Sequence, residues 1–198
     1  MVFLVVTAMP AMVFVRQALK SRNDAHGNEV WYPAGNMVLT LCILGALIYS
    51  GIAVWLSMRP EGFEESVRSF TIMMAETILA EPAADLRGVF VAKIAPILPG
   101  FVVASWLIMN VINAALAQSV LTRFHYNYRP SPEIASMELP YWLPLAAVTA
   151  GGTAMGLLLP GSLGYFGTNL ATILLIPFFF IGLAVAHTWC RNKPAGLF

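Results

Sequence analysis

"GYFGTNLATILLIPFFFIGLAVAHTW", Gly164–Trp189, is the stretch that decides the fold. It is almost wholly apolar and longer than the about 20 residues a helix needs to cross a hydrocarbon core. A fully buried helix of a large soluble protein is the other way to accommodate such a run. The composition argues against it: 59% of the 198 residues are hydrophobic and 11% are charged, where soluble domains carry about 25% charged residues. The apolar residues also fall into several long runs, and a chain of this length has no room to bury them all in its own interior. The stretch is therefore a membrane span. Its Asn169, Pro177 and His187 are polar or helix-disturbing groups set in or beside a bilayer.

Outward from that run, the hydropathy pattern gives candidate spans at roughly 1–19, 36–58, 94–121, 141–160 and 167–189. The first offers 15 residues before Arg16, short of the about 20 that a span needs. Either Arg16 snorkels and the helix continues to Leu19, or the chain is the C-terminal part of a longer membrane protein. In both cases 1–198 reads as a single membrane domain. "KSRNDAHGNEVWYPAG" reads as turns, with Trp31 and Tyr32 at an interfacial aromatic belt. Between the second and third spans, Phe63, Val67, Phe70, Met74 and Ile78 recur at intervals of three and four. Glu64 and Arg68 form an i,i+4 pair on another face, so this segment is an amphipathic interfacial helix, broken at "EPAADLRG". The third span opens on Pro96 and Pro99, residues suited to a broken first turn. In the fourth, Ala147, Gly151 and Gly152 make a small face on which another helix packs closely. The expected fold class is all-α: a polytopic integral membrane helix bundle of about five transmembrane helices plus one amphipathic interfacial helix.

The positive-inside rule orients this arrangement. With the N-terminus outside, Arg16, Lys20, Arg22, Arg123, Arg129, Arg191 and Lys193 lie inside, and Arg59, Arg68, Arg87 and Lys93 lie outside among the acids. The C-terminus is then cytoplasmic.

Several functions are disfavoured. Formal net charge is +1 with no basic tract, so nucleic acid is not an expected partner. Cys42 and Cys190 behave as small hydrophobes, and His26, His125 and His187 are scattered, so no disulfide, metal site or cofactor is expected. No Walker-type loop is present, so coupling to ATP requires another subunit. No nucleophile–base set is visible. Glu76 and Glu81 flank a proline break and read as solvated carboxylates. The expectation is a protein that is not an enzyme, with no catalytic residue.

The remaining candidates are amides and a hydroxyl within the spans. Asn110 and Asn113 share one face at i,i+3, and Gln118 lies near it. Thr168 and Asn169 sit at the outer end of the last span after two glycines, where either caps exposed N–H groups. In hydrocarbon such groups must face protein or a wet cavity. Two roles remain open for them: interhelical hydrogen bonding, or contact with a ligand at a broken helix, as in transporters.

"YWLPLAAVTAGG", the Gly164–Trp189 block and "RQALKSRNDAHGNEVWYPAGNMV" resemble the YybS-like family of bacterial integral membrane proteins. That family is the domain of unknown function numbered 2232, here in its alphaproteobacterial form. The resemblance runs through most of the chain and rests on Trp-Leu-Pro, Gly-Tyr-x-Gly-x-Asn and Pro-Phe-Phe-x-x-Gly-Leu patterns. It implies a multi-pass protein of the bacterial inner membrane with further spans upstream. It also implies a distant similarity to the substrate-binding membrane subunits of energy-coupling-factor transporters. On that basis the chain is a small-molecule-binding or transport component lacking its own ATPase, with the bilayer, a small substrate and an energy-coupling membrane protein as partners. The alternative is a non-catalytic membrane scaffold or assembly protein.

Overall fold

Long apolar runs without charge have one economical solution, a helix in which every backbone group is paired internally. The computed structural model describes residues 7–79, 86–132, 137–154 and 162–191. It is mostly helical: α1 (Met9–Ala18), α2 (Ala34–Ser57), α3 (Gly62–Ile78), α4 (Arg87–Ile94), α5 (Leu98–Arg123), α6 (Trp142–Ala154) and α7 (Ser162–Arg191). Among the described residues three helices, α2, α5 and α7, are long and apolar enough to cross a membrane.

The other two expected spans are described only in part. In the first, α1 has 10 residues, and 1–6 lie outside the described residues. In the fourth, α6 has 13 residues, and 155–161 lie outside them. The third span begins later than expected because proline interrupts it. Residues 87–94 form α4, and α5 starts only at Leu98, after Pro96.

The chain divides into two compact units. Unit 1 comprises Met1–Ile43, Trp106–Pro140 and Ile176–Phe198, and unit 2 comprises Leu44–Ser105 and Tyr141–Leu175. In unit 1 the segment read as turns is a hairpin, β1 (Ser21–Asn23) against β2 (Glu29–Trp31), with Arg22 opposite Val30. Asp24 closes it. Its Oδ1 accepts the N–H groups of His26 (2.8 Å) and Asn28 (2.9 Å), and Gly27 takes the positive φ of 81° that the turn needs. These bonds hold the Asp24 carboxyl below its ordinary pKa, the Asn28 backbone N–H most of all. Strands of three residues carry too little alternation for a sequence pattern to reveal them.

At the other end of unit 1's loop region, α5 stops in a Schellman motif. The Tyr126 N–H bonds to the Leu121 carbonyl at 2.9 Å and the His125 N–H to the Thr122 carbonyl at 3.2 Å. His125 occupies the left-handed position at φ 59°, where glycine is usual.

Unit 2 is built on an aromatic cluster. Tyr49 stacks on Phe166 at 5.1 Å, and Phe63 meets Tyr49 and Tyr165 edge-on at 6.1 and 5.2 Å. The Tyr49 hydroxyl donates to the Phe166 carbonyl at 3.0 Å. On α3 the buried stripe is Phe63, Val67, Thr71 and Ala75, at strict fourth positions. Of the expected apolar stripe, Phe63 and Val67 are buried, Met74 is half-buried, and Phe70 and Ile78 are exposed. Arg68 pairs with Glu65 at 3.3 Å rather than with Glu64. The small face of α6 also differs. Gly151 faces open space, while Ala147 and Ala150 are buried, and the tight approach is made by Gly167 of α7 against Thr153 and the Ala150 carbonyl.

Candidate functional site

The five residues expected to line a site fall on both units. Asn110, Asn113 and Gln118 belong to unit 1, Thr168 and Asn169 to unit 2. In unit 1, Asn110 is half-buried and its Nδ2 donates to the Trp106 carbonyl of its own helix at 2.8 Å. Asn113 is exposed. Gln118 donates to the Arg129 carbonyl at 3.2 Å, tying α5 to the loop that follows it. In unit 2, the Thr168 hydroxyl donates to the Gly164 carbonyl one turn back at 3.0 Å.

Asn169 is different. It is 0% exposed, and both ends of its amide are engaged. Its Oδ1 accepts the Gly100 N–H at 2.7 Å, and its Nδ2 donates to the carbonyls of Pro96 (3.0 Å) and Tyr165 (2.9 Å). In an unbroken helix the N–H of residue 100 would bond to the carbonyl of residue 96. Here the Asn169 amide is inserted between those two groups and completes the ladder at the proline-disturbed start of α5. Gly100 permits the insertion. A Cβ at that position would lie 2.8 Å from the Asn169 carbonyl oxygen and 2.9 Å from its Cα, contacts that only a backbone shift relieves. The cap expected at a helix start is instead a bridge to a neighbouring helix, because α7 begins at Ser162 and Asn169 lies two turns inside it.

The open polar space of unit 2 lies elsewhere. A groove of about 390 Å³ is lined by α3 and α4, with Ala95, Pro96 and Tyr165 completing it. Its floor is apolar: Ala75, Val91 and Ala95 are buried and form a small core against which Phe90 packs. Its rim carries Glu64, Arg68 and Glu76 from α3, all exposed, and Arg87 from α4. The side chain of Arg87 reaches back to the Leu79 carbonyl at 2.9 Å, securing the end of α3. Tyr165 holds the far wall, donating to the Ala95 carbonyl at 2.7 Å. Two carboxylates and two guanidinium groups therefore face an apolar floor. This arrangement suits a small molecule with an apolar body and groups of both charges. Glu81, at the break after α3, lies outside the described residues.

Sequence reasoning missed this grouping. Arg87 was assigned to a loop and Glu64 to a solvated face, and only the break at "EPAADLRG" hinted that α3 folds back on a second short helix. The usable signal was scarcity. In a chain with 11% charged residues, the six charges of α3 and α4, four of them lining one groove, stand out once the two helices are known to be adjacent. Among the described residues no cluster of His, Cys, Asp and Glu has a geometry that holds a metal ion.

Comparison with known proteins yields no match among curated proteins and none among solved structures. A family described as "Predicted membrane protein (DUF2232)" matches residues 30–197, which include all three helices able to span a bilayer. The chain is a multi-pass membrane protein belonging to the DUF2232 family.

Proposed function

We propose that this chain is the small-molecule-binding component of a bacterial inner-membrane transport system, non-catalytic and dependent on another subunit for energy. The observation that carries the proposal is the groove of unit 2, with Glu64, Arg68, Glu76 and Arg87 around an apolar floor. The narrower kinship with YybS-like proteins, and through them with energy-coupling-factor substrate-binding subunits, is part of the same proposal. So is the five-span, C-terminus-inside topology with α3 at the interface, a topology supported by the distribution of Lys and Arg. In this reading the ligand is held by the rim charges, not by the Asn169 amide, whose bonds go to backbone.

An assembly role is favoured by one observation. Asn113 is exposed on α5, a helix most of whose surface is uncovered. In a bilayer an uncovered amide calls for a neighbouring helix.

Native mass spectrometry of the full-length gene product, purified from its own membranes in mild detergent, separates the two. The expected result is a small molecule retained by the wild type and lost in a Glu64→Gln, Glu76→Gln double variant. Loss in an Asn110→Leu, Asn113→Leu variant instead would move the site to α5. A spectrum with no small molecule and a stoichiometric protein partner would overturn the transport reading in favour of assembly.

A further inference from the structure

Arg129 sits in the loop after α5 and is only 7% exposed. Its guanidinium is satisfied in part by neutral groups of unit 1. Nη1 donates to the Ala18 carbonyl at the end of α1 (3.2 Å), to the Tyr32 carbonyl (3.4 Å) and to the Met37 sulfur (3.9 Å). Nη2 makes a single long contact with the Tyr32 carbonyl, at 3.5 Å, and Nε has no partner. The charge also lies 5.7 Å from the centre of the Trp31 ring. No carboxylate among the described residues is within ion-pair distance. Burial lowers the Arg129 pKa, but a guanidinium stays protonated at neutral pH, so unit 1 holds a desolvated cation with no described counter-ion.

A groove of about 220 Å³ opens beside this cation, lined by residues 31–34 and 129–132. Ala34 is the first residue of α2 and lines the groove, whereas Gly35 is buried against the Glu138 backbone, and no hydrogen bond among the described residues takes up the Ala34 N–H. The first turn of a 24-residue helix adds its partial positive charge to that of Arg129. Pro33, Pro130 and Pro132 stiffen the rim, and the Ser131 hydroxyl lies on it, shared with Thr122 at 3.3 Å. The groove is at the end of a span and is flanked by Trp31 and Tyr32, residue types that favour the headgroup layer.

We propose that this groove binds the phosphate of an anionic phospholipid headgroup, with Arg129 as counter-charge and the Ala34 N–H at the start of α2 as hydrogen-bond donor. An oxyanion here would supply a counter-charge that no described residue gives Arg129, and an acceptor for the Ala34 N–H, which has none among the described residues. The site is separate from the groove of α3 and α4, and its failure would leave the proposed function untouched.

The test uses the full chain in mild detergent, titrated with dioctanoyl phosphatidylglycerol, dioctanoyl phosphatidylcholine and inorganic phosphate, with bound ligand read by native mass spectrometry. The wild type is expected to bind phosphatidylglycerol about tenfold more tightly than phosphatidylcholine, a ratio typical of one charge-assisted bond. Arg129→Gln should abolish that preference. Because Arg129 also ties α1 to the hairpin, Ser131→Glu serves as a second variant. It places a carboxylate on the rim, keeps every Arg129 bond, and should abolish the preference in a folded protein. Equal affinity for the two lipids, or a preference that survives Ser131→Glu, would overturn the proposal. Saturation by inorganic phosphate at the same affinity as phosphatidylglycerol would overturn the lipid assignment and make this a site for free phosphate.

Discussion

Replacing Asn169 with leucine keeps the volume of the side chain and removes its amide. The buried Gly100 N–H then loses its acceptor and the Pro96 carbonyl its donor, both beside a side chain that is itself 0% exposed. A buried donor left without a partner costs about 1–3 kcal/mol, while a side-chain hydrogen bond within a membrane protein contributes about 0.6 kcal/mol on average. The Tyr165 carbonyl is the least affected, because it also lies within the backbone ladder of α7. Together these effects put Asn169→Leu at about 2–4 kcal/mol less stable than wild type, set chiefly by the orphaned N–H. Asn169→Asp should be at least as damaging. It keeps the acceptor for Gly100 but turns the donor into a second acceptor facing the Pro96 and Tyr165 carbonyls. The assay is reversible unfolding in mixed micelles with rising dodecyl sulfate, read by far-ultraviolet circular dichroism, comparing midpoints at constant slope. A shift below about 0.5 kcal/mol for Asn169→Leu would refute the bridge and return Asn169 to the list of ligand-contacting residues.

Three further outcomes are expected. Gly100→Ala should destabilise by about 1–3 kcal/mol, because its Cβ meets backbone atoms of Asn169 and no side-chain rotation relieves the overlap, as the same unfolding assay would show. His125→Gly should stabilise by about 1 kcal/mol through relief of the left-handed strain at φ 59°, and an unchanged or lowered midpoint would count against the Schellman ending of α5. The Asp24 carboxyl, followed by carbon-13 NMR, should titrate below 3.8, its ordinary value. Since its folded pKa is the depressed one, its contribution to the hairpin is present above the unfolded pKa and is lost as pH falls through the folded pKa, and Asn28→Ala should move the titration upward.

The elements that were legible beforehand are those whose signal is long and redundant. The α2 and α7 segments are each more than 20 residues of apolar sequence, and the structure places both within a few residues of the expected bounds. Elements set by short-range chemistry were not legible. Residues 87–94 straddle the end of the expected break at "EPAADLRG" and the start of the expected third span, with too short a run for a usable period, yet they fold as α4 and form one wall of the groove. On α3 the protein covers Phe63, Val67, Thr71 and Ala75, with Ala75 packed against Val91 and Ala95, and leaves the larger Phe70 and Ile78 exposed. In a bilayer those exposed apolar side chains meet lipid at no cost, so hydrophobicity alone does not reveal which face of a membrane helix is covered. The candidate amides were legible as residues but not as a site, since a sequence shows that Asn169 needs partners and not which ones.

That distinction orders the polar groups of this protein. An amide at depth must be paired, and Asn169 shows the least demanding solution, which is to repair a helix that proline has broken. Asn110 and Thr168 follow the same logic on a smaller scale, each bonding a carbonyl one turn back in its own helix. Groups so engaged have little left to offer a ligand without a cost in stability. Groups at the ends and edges of the helices are under no such constraint. Glu64, Glu76 and Arg68 are exposed on the rim of one groove, and Arg129 lines another with no carboxylate among the described residues paired to it. A search for chemistry in this fold therefore starts at the rims, where the polar groups stand beside open space, rather than at Asn110, Thr168 and Asn169, which backbone already holds.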